Sequence, residues 1–346
     1  MPQRPPSPSS PRPRPRAQPP PKSRSQAQAQ AEAQAAAGRR PLTKKQRRRT
    51  AKQTQEQSVR QWWQKPLYWA GGGAVVVLVV ALLVVLLLPA GNGLQPVSTP
   101  TKVPASVLSA VTNPGVRIFG IVGEGSAQTS DPAGQLSRLT GTKPLADSAG
   151  KTEVIYVGAE YCPYCAAERW SMIMALSRFG TFSGLKEMSS SSTDQVAPNT
   201  STFTFVDSSY TSQWVDFMPV ETEDQNGNQL QTPSAPVEQI FTTYDQQPYS
   251  ASTAGNPGLP FLDIGGSYVL FQTSFDPAIL QGLSWKQIAV DLANATSPVT
   301  LAIVGNANFL TAAICLADSN QPSSVCSSAT IQGIETVLTA QSAVGS

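Results

Sequence analysis

The sequence predicts an α/β fold set behind one membrane-spanning helix, and three patterns carry that expectation. A β-branched run at residues 154–157 leads through Cys162-Pro163-Tyr164-Cys165 into a helical stretch. Phe261-Leu262-Asp263-Ile264-Gly265-Gly266-Ser267-Tyr268-Val269-Leu270-Phe271 reads as strand, tight turn, strand, and residues 67–88 carry no charge. Composition narrows the chemistry. The 346 residues contain no histidine, which excludes hydrolases built on a histidine base and zinc sites with imidazole ligands. The net charge of +3 averages two unlike halves: residues 1–65 hold 16 Lys/Arg against Glu32 and Glu56, whereas residues 66–346 hold nine against 20 acids.

Residues 1–65 have ten prolines in the first 21 positions and no aliphatic period able to bury a core, so they are expected to form a disordered basic tail. The following apolar segment, 66–88, is assigned as a transmembrane helix; the 22 chargeless residues 67–88 rise about 33 Å, against a hydrocarbon core of about 30 Å. Trp62, Trp63, Tyr68 and Trp69 crowd its N-terminal edge behind a basic run that includes Arg47, Arg48 and Arg49. That asymmetry predicts a single-pass protein of the cell membrane, with its N-terminus cytoplasmic and its acidic C-terminal part outside. A cleaved signal peptide fits poorly, because the stretch is about twice an h-region and Leu88-Pro89-Ala90 is a poor cleavage site. The basic tail is expected to touch anionic lipid; nucleic acid is disfavoured, because no base-reading module follows it. Residues 89–103 form a Pro/Thr/Ser/Gly linker, and 104–346 suffice for one elaborated extracytoplasmic domain.

Within that domain the run at 154–157 is expected to be a buried strand and residues 163–179 a helix closed by Gly180. Pro163 suits the first helical turn, which places Cys162 at the N-cap. There free backbone N–H groups and the helix dipole favour a thiolate, the species that attacks disulfides. Cys165, one turn on, is positioned to resolve the mixed disulfide. A zinc site made of Cys162, Cys165, Cys315 and Cys326 is the structural rival, though ten residues between the last two suit a zinc ribbon poorly.

V-G-A-E-Y-C-P-Y-C resembles the aromatic-x-A-E-W-C-G-P-C stretch of the thioredoxin superfamily, and Pro-Tyr is the dipeptide familiar from glutaredoxins. The resemblance implies a thioredoxin-like fold. It makes Pro260 a cis-proline facing the cysteines and gives the Leu259 backbone to an extended substrate, with Tyr161, Pro163 and Tyr164 flanking the contact. It also implies an insertion at about 181–255, between the first helix and the cis-proline strand. That insertion reads as mostly extended, where that of DsbA-type relatives is helical, and includes a strand candidate at 202–206. Asp207, Trp214 and Phe217 within it read as solvated face or core more readily than as a substrate groove. Ser284 is expected to cap a helix at 285–292. One departure concerns the acid that, six positions before the first cysteine, relays the buried thiol's proton in such proteins. Tyr156 stands there, leaving Glu160 and Glu168 as candidates, with Arg169 expected to pair with Glu168.

Cys315 and Cys326 are expected to form a structural disulfide outside the cytoplasm; a second redox pair that relays electrons is the alternative. The joint pattern, from the anchor through G-A-E-Y-C-P-Y-C-A-A-E-R-W and P-F-L-D-I-G-G to A-I-C…V-C, is similar to the family known as domain of unknown function 929, over about residues 104–335. The chemistry points to a thiol–disulfide oxidoreductase with catalytic Cys162, Cys165, Pro260 and Glu168, needing neither cofactor nor metal. Its expected partners are cysteine-containing extracytoplasmic proteins, together with a membrane redox protein. The competing class is a redox-inert binding or scaffold module held by structural disulfides.

Overall fold

The computed structural model describes residues 97–126, 136–246, 249–250 and 258–344; the basic tail, the predicted span at 66–88 and the start of the linker lie outside the described residues. In chain order the elements are β1 Thr101–Lys102, α1 Ala105–Thr112, α2 Val116–Val122, β2 Ser137–Arg138, β3 Thr152–Gly158, α3 Pro163–Leu176, β4 Gly180–Ser183, β5 Lys186–Ser189, β6 Ser201–Thr204, β7 Ser209–Ser212 and β8 Val215–Glu221. There follow α4 Ala235–Tyr244, β9 Phe261–Ile264, β10 Tyr268–Phe271, a 3-10 turn Pro277–Leu280, α5 Trp285–Asp291, α6 Pro298–Ala317, α7 Ser323–Cys326 and α8 Ala329–Ala340. The domain is therefore mixed α/β, as the sequence predicts.

A five-stranded sheet in the order β2-β10-β9-β3-β8 carries the site. β3 runs parallel to β8 and antiparallel to β9, and β9 turns back into β10. Alternation along β3 sends Val154 and Tyr156 into the core shared with α3 and α6. Ile155 and Val157 go to the opposite face, with Val237 and Phe241 of α4. Both faces of β3 are thus covered, which is why its sequence is apolar without a break. The Gly265-Gly266 turn requires glycine twice over: both residues have positive φ, 61° and 65°. A Cβ on Gly265 would also sit 2.7 Å from the Cβ of Ala317.

Several expectations are met and several corrected. Ser284 caps α5 through a reciprocal box, its Oγ accepting from Gln287 N–H at 3.3 Å while the Gln287 side chain accepts from Ser284 N–H at 2.9 Å. β6, Ser201–Thr204, overlaps the strand expected at 202–206 and ends two residues earlier. The first helix, however, ends at Leu176 rather than at residue 179. The Leu176 carbonyl accepts from the Tyr210 hydroxyl at 2.8 Å and the Phe179 carbonyl from Ser212 Oγ at 2.7 Å, so β7 caps the last turn. Gly180 opens β4, where a Cβ would press on the Thr211 carbonyl at 2.5 Å. The stretch 180–221 holds strands β4 to β8, but α4 interrupts the rest of the stretch expected to be extended. Phe217 belongs to the core and Asp207 pairs with Lys186 at 2.9 Å.

Among the described residues α6 is the single uninterrupted helix long and apolar enough to cross a membrane, and the sequence reading left it unassigned. It is apolar on all sides because it is buried on all sides, packed on α3 and α8. Most of its few polar groups find partners inside the domain: Asn308 Nδ2 donates to the Phe119 and Gly123 carbonyls at 3.0 and 2.7 Å. At its C-terminal end Cys315 is disulfide-bonded to Cys326, Cα–Cα 5.6 Å, tying α6 to α7. Each of the two sulfurs is bonded to the other, so the four-cysteine zinc site is not formed.

Candidate functional site

Cys162 is the N-cap of α3, with φ −73° and ψ 123°, and Pro163 follows at the first helical position. This is local geometry: proline has no N–H to lose and its φ is already helical. The Cys162 Sγ accepts from the Cys165 N–H at 3.2 Å, in the way a serine or aspartate oxygen caps a helix. Both cysteines stand as free thiols, and their surroundings separate them. Burial pushes the Cys162 thiol up, but hydrogen bonds from the Cys165 side chain and backbone, the Arg169 charge and the Tyr164 backbone outweigh it, leaving the thiol below its usual value. Cys165 is raised well above its usual value, by burial first and then by hydrogen bonding and charge from Cys162.

Ninety-seven residues along the chain, Leu259 brings its carbonyl to 3.8 Å from Cys162 Sγ. The Leu259–Pro260 peptide bond is cis, the form implied by the resemblance. Pro260 leads directly into β9, and β9 pairs with β3, so the sheet places this turn against the end of α3. Tyr161, Tyr164 and Leu259, each half-buried, pack against Ala159, Cys162 and Cys165. The predicted residues Cys162, Cys165, Pro163, Tyr161, Tyr164, Leu259 and Pro260 therefore form one cluster.

The two carboxylates expected near the thiols are engaged elsewhere. Glu160 accepts from the Thr204 hydroxyl at 2.6 Å. Glu168 is fully buried, and its oxygens accept from Asn306 Nδ2 at 2.9 and 2.8 Å and from the Thr273 hydroxyl at 2.9 Å. Burial outweighs those bonds and pushes its carboxyl up to about 7. Neither cysteine is among its partners.

Arg169 does not pair with Glu168. It lies four residues beyond Cys165, on the same face of α3. Its Nε and Nη2 donate to the two carboxylate oxygens of Glu221, at 2.9 and 2.6 Å, and Nη2 also donates to the Ala159 carbonyl at 2.9 Å. Ala159 accepts from the Cys162 N–H as well, at 3.3 Å, so one carbonyl joins the ion pair to the nucleophile's backbone. Glu221 is pushed up by burial and drawn back by Arg169. Tyr156, at the position of the missing acid, lies 3.5 Å from Glu221 through its hydroxyl. A Cβ at Gly158 would strike that hydroxyl, which is why the strand ends in glycine there. Reasoning from sequence missed Arg169 and Glu221 as a pair. The signal for Arg169 was a charge beside Glu168 inside a mostly apolar helix, whereas Glu221 carried none, 52 residues away on a strand.

Neither the curated proteins nor the solved structures yield a match to this chain. A family model described as "Domain of unknown function (DUF929)" matches residues 142–316, a narrower stretch than 104–335. The match includes Cys162, Cys165, the Arg169–Glu221 pair, Pro260 and Cys315, and covers just over half of the 346 residues. The chain belongs to this family.

Proposed function

We propose that this is a thioredoxin-like domain, anchored outside the cytoplasmic membrane, that exchanges disulfides with protein cysteines. Supporting the fold reading is the order β8-β3-β9-β10, in which the cysteine-bearing strand has a parallel neighbour on one side and an antiparallel hairpin on the other. In this reading the insertion shrinks to residues 180–212, because β8 and α4 take the places of the fold's second strand and second helix. The basic residues before the apolar stretch 66–88 and the acidic excess after it support the anchor and its orientation.

One observation carries the activity: Cys162 Sγ caps α3 and faces the Leu259 carbonyl, with Cys165 one turn behind it. The Cys162 thiolate attacks one sulfur of a substrate disulfide, forming a mixed disulfide and releasing the other sulfur as a thiolate. Cys165 then loses its proton and attacks Cys162 Sγ. The Cys162–Cys165 bond closes and the substrate leaves with both its sulfurs reduced, so two electrons pass from the domain to the substrate. Run backwards, the same steps oxidise a dithiol substrate. The fully buried Arg169 supplies the positive charge felt by both thiols.

The test is a trap. Cys165→Ser in the full-length protein is expected to accumulate mixed disulfides through Cys162 with secreted, surface or membrane proteins, visible on a non-reducing gel after acid quenching, whereas Cys162→Ser accumulates none. Monomer alone from Cys165→Ser would replace this reading with the binding module. Adducts confined to cytoplasmic proteins would keep the chemistry and reverse the orientation.

A further inference from the structure

At Tyr161, the residue before Cys162, lies an open polar cleft of about 450 Å³. Tyr161 forms one wall; the loops at 191–194 and 223–227 form the others. Both loops are tied to the residues that immediately precede the nucleophile. Ser191 N–H donates to the Tyr161 carbonyl at 2.9 Å, and Glu160 N–H donates to the Glu223 carbonyl at 2.8 Å. The loops are also tied to each other's supports, since the Gln225 amide donates to the Ser189 and Ser190 carbonyls at 2.7 and 3.1 Å. The cleft is thus held by backbone hydrogen bonds to the two residues that precede Cys162.

Its chemistry is one-sided. The walls present hydroxyls, amides, the ring of Tyr161 and the carboxylates of Asp194 and Glu223, with no Lys or Arg. Asp194 uses one oxygen to accept from Val196 and Ala197 N–H, at 2.7 and 3.3 Å. Among the described residues the Glu223 carboxylate has neither a hydrogen bond nor an ion pair. Glu223 and Tyr161 line the same cleft, and after burial the Glu223 charge is the largest influence holding the Tyr161 phenol up at about 12. An anion entering would meet two like charges. A guanidinium or ammonium would find carboxylates, hydroxyl acceptors and an aromatic face together.

We propose that this cleft is a subsite for a cationic side chain, Arg or Lys, lying near the cysteine of a protein substrate. The proposal rests on the exchange reading above and adds to it the choice of substrate. With two carboxylates and no base, the subsite steers and orients the segment whose sulfur meets Cys162.

The test uses the full-length protein with its Cys162–Cys165 disulfide closed, and peptides bearing two cysteines that differ only in one neighbouring residue: Arg, Gln or Glu. Each peptide closes its own disulfide as it opens that of the protein, so the peptide is the reductant and the electrons balance. Maleimide labelling of the protein thiols reads the rate. At low salt the Arg peptide is expected to react about fivefold faster than the Glu peptide, the size of one partly exposed ion pair. At about 0.5 M salt the gap should close. Glu223→Gln combined with Asp194→Asn should bring the ratio within twofold. A ratio of one on a protein that exchanges well overturns the subsite and leaves the exchange reading standing. If no peptide reacts, the exchange reading falls, and the cleft is decided by binding of labelled peptides carrying Ser for Cys, followed by fluorescence anisotropy. Tighter binding of the Arg peptide, lost in Glu223→Gln, supports the subsite; equal binding of the Arg and Glu peptides overturns it.

Discussion

Arg169 and Glu221 form a bidentate ion pair in which both side chains have 0% exposure, and the same guanidinium donates to the Ala159 carbonyl that also accepts from the Cys162 N–H. Burying two charges is costly, and removing one partner leaves the other without compensation. Arg169→Met is therefore expected to destabilise the domain by about 3–5 kcal/mol. Replacing both, Arg169→Met with Glu221→Met, should cost much less than the single change. Denaturant unfolding of the three variants measures this; equal losses for single and double replacement would mean the pair contributes nothing as a pair.

The same guanidinium is part of what keeps the Cys162 thiol below its usual value while Cys165 stays far above. Iodoacetamide titration of the reduced protein should therefore label Cys162 first, with a midpoint below the free value of about 8.5. Arg169→Lys keeps the charge and loses the planar fork, so the midpoint should move up only slightly. In Arg169→Met with Glu221→Met it should move up further. A Cys162 midpoint at or above the free value removes the electrostatic argument for its reactivity.

Glu168 and Asp263 are both buried, and burial pushes each carboxyl up to about 7, from ordinary values of 4.5 and 3.8. Each binds its proton more tightly folded than unfolded. Between about pH 4 and 7 the folded state therefore holds protons that the unfolded chain has lost, and stability falls as pH rises through that window before levelling above it. The domain should unfold at a higher temperature at pH 5 than at pH 8. Glu168→Gln should flatten the slope, its amide keeping an acceptor for Asn306 and Thr273. A melting temperature that rises from pH 5 to 8 contradicts the assignment.

Cys315 and Cys326 are buried, and their bond closes a span of 11 residues. On the chain-entropy account such a loop contributes about 3 kcal/mol. Cys315→Ser should lower stability by roughly that amount and leave exchange through Cys162 intact, and mild dithiothreitol should open Cys162–Cys165 before Cys315–Cys326. Loss of exchange at unchanged stability would make the second pair an electron relay.

What could be read in the chain was whatever a short stretch decides alone. Pro163 sets the first turn of α3 and so makes Cys162 its cap; Gly265-Gly266 turns β9 into β10; Ser284 and Gln287 close a box over three residues. In each case the partners lie within a few positions and the physics is backbone geometry. Other outcomes depended on groups far apart in sequence. Helix α3 stops at Leu176 because Tyr210 and Ser212 cap its end from another strand. Helix α6 resembles a membrane span in composition, and only its burial against α3 and α8 makes it a core helix. Arg169 had an adjacent acid in sequence, but successive helical residues point about 100° apart, so Glu168 turned to Asn306 on α6 while Arg169 met Glu221 at the end of β8. Local spacing determined where the sulfurs sit; the parallel pairing of β3 with β8 decided which charge stands behind them, because it set Gly158 opposite Glu221.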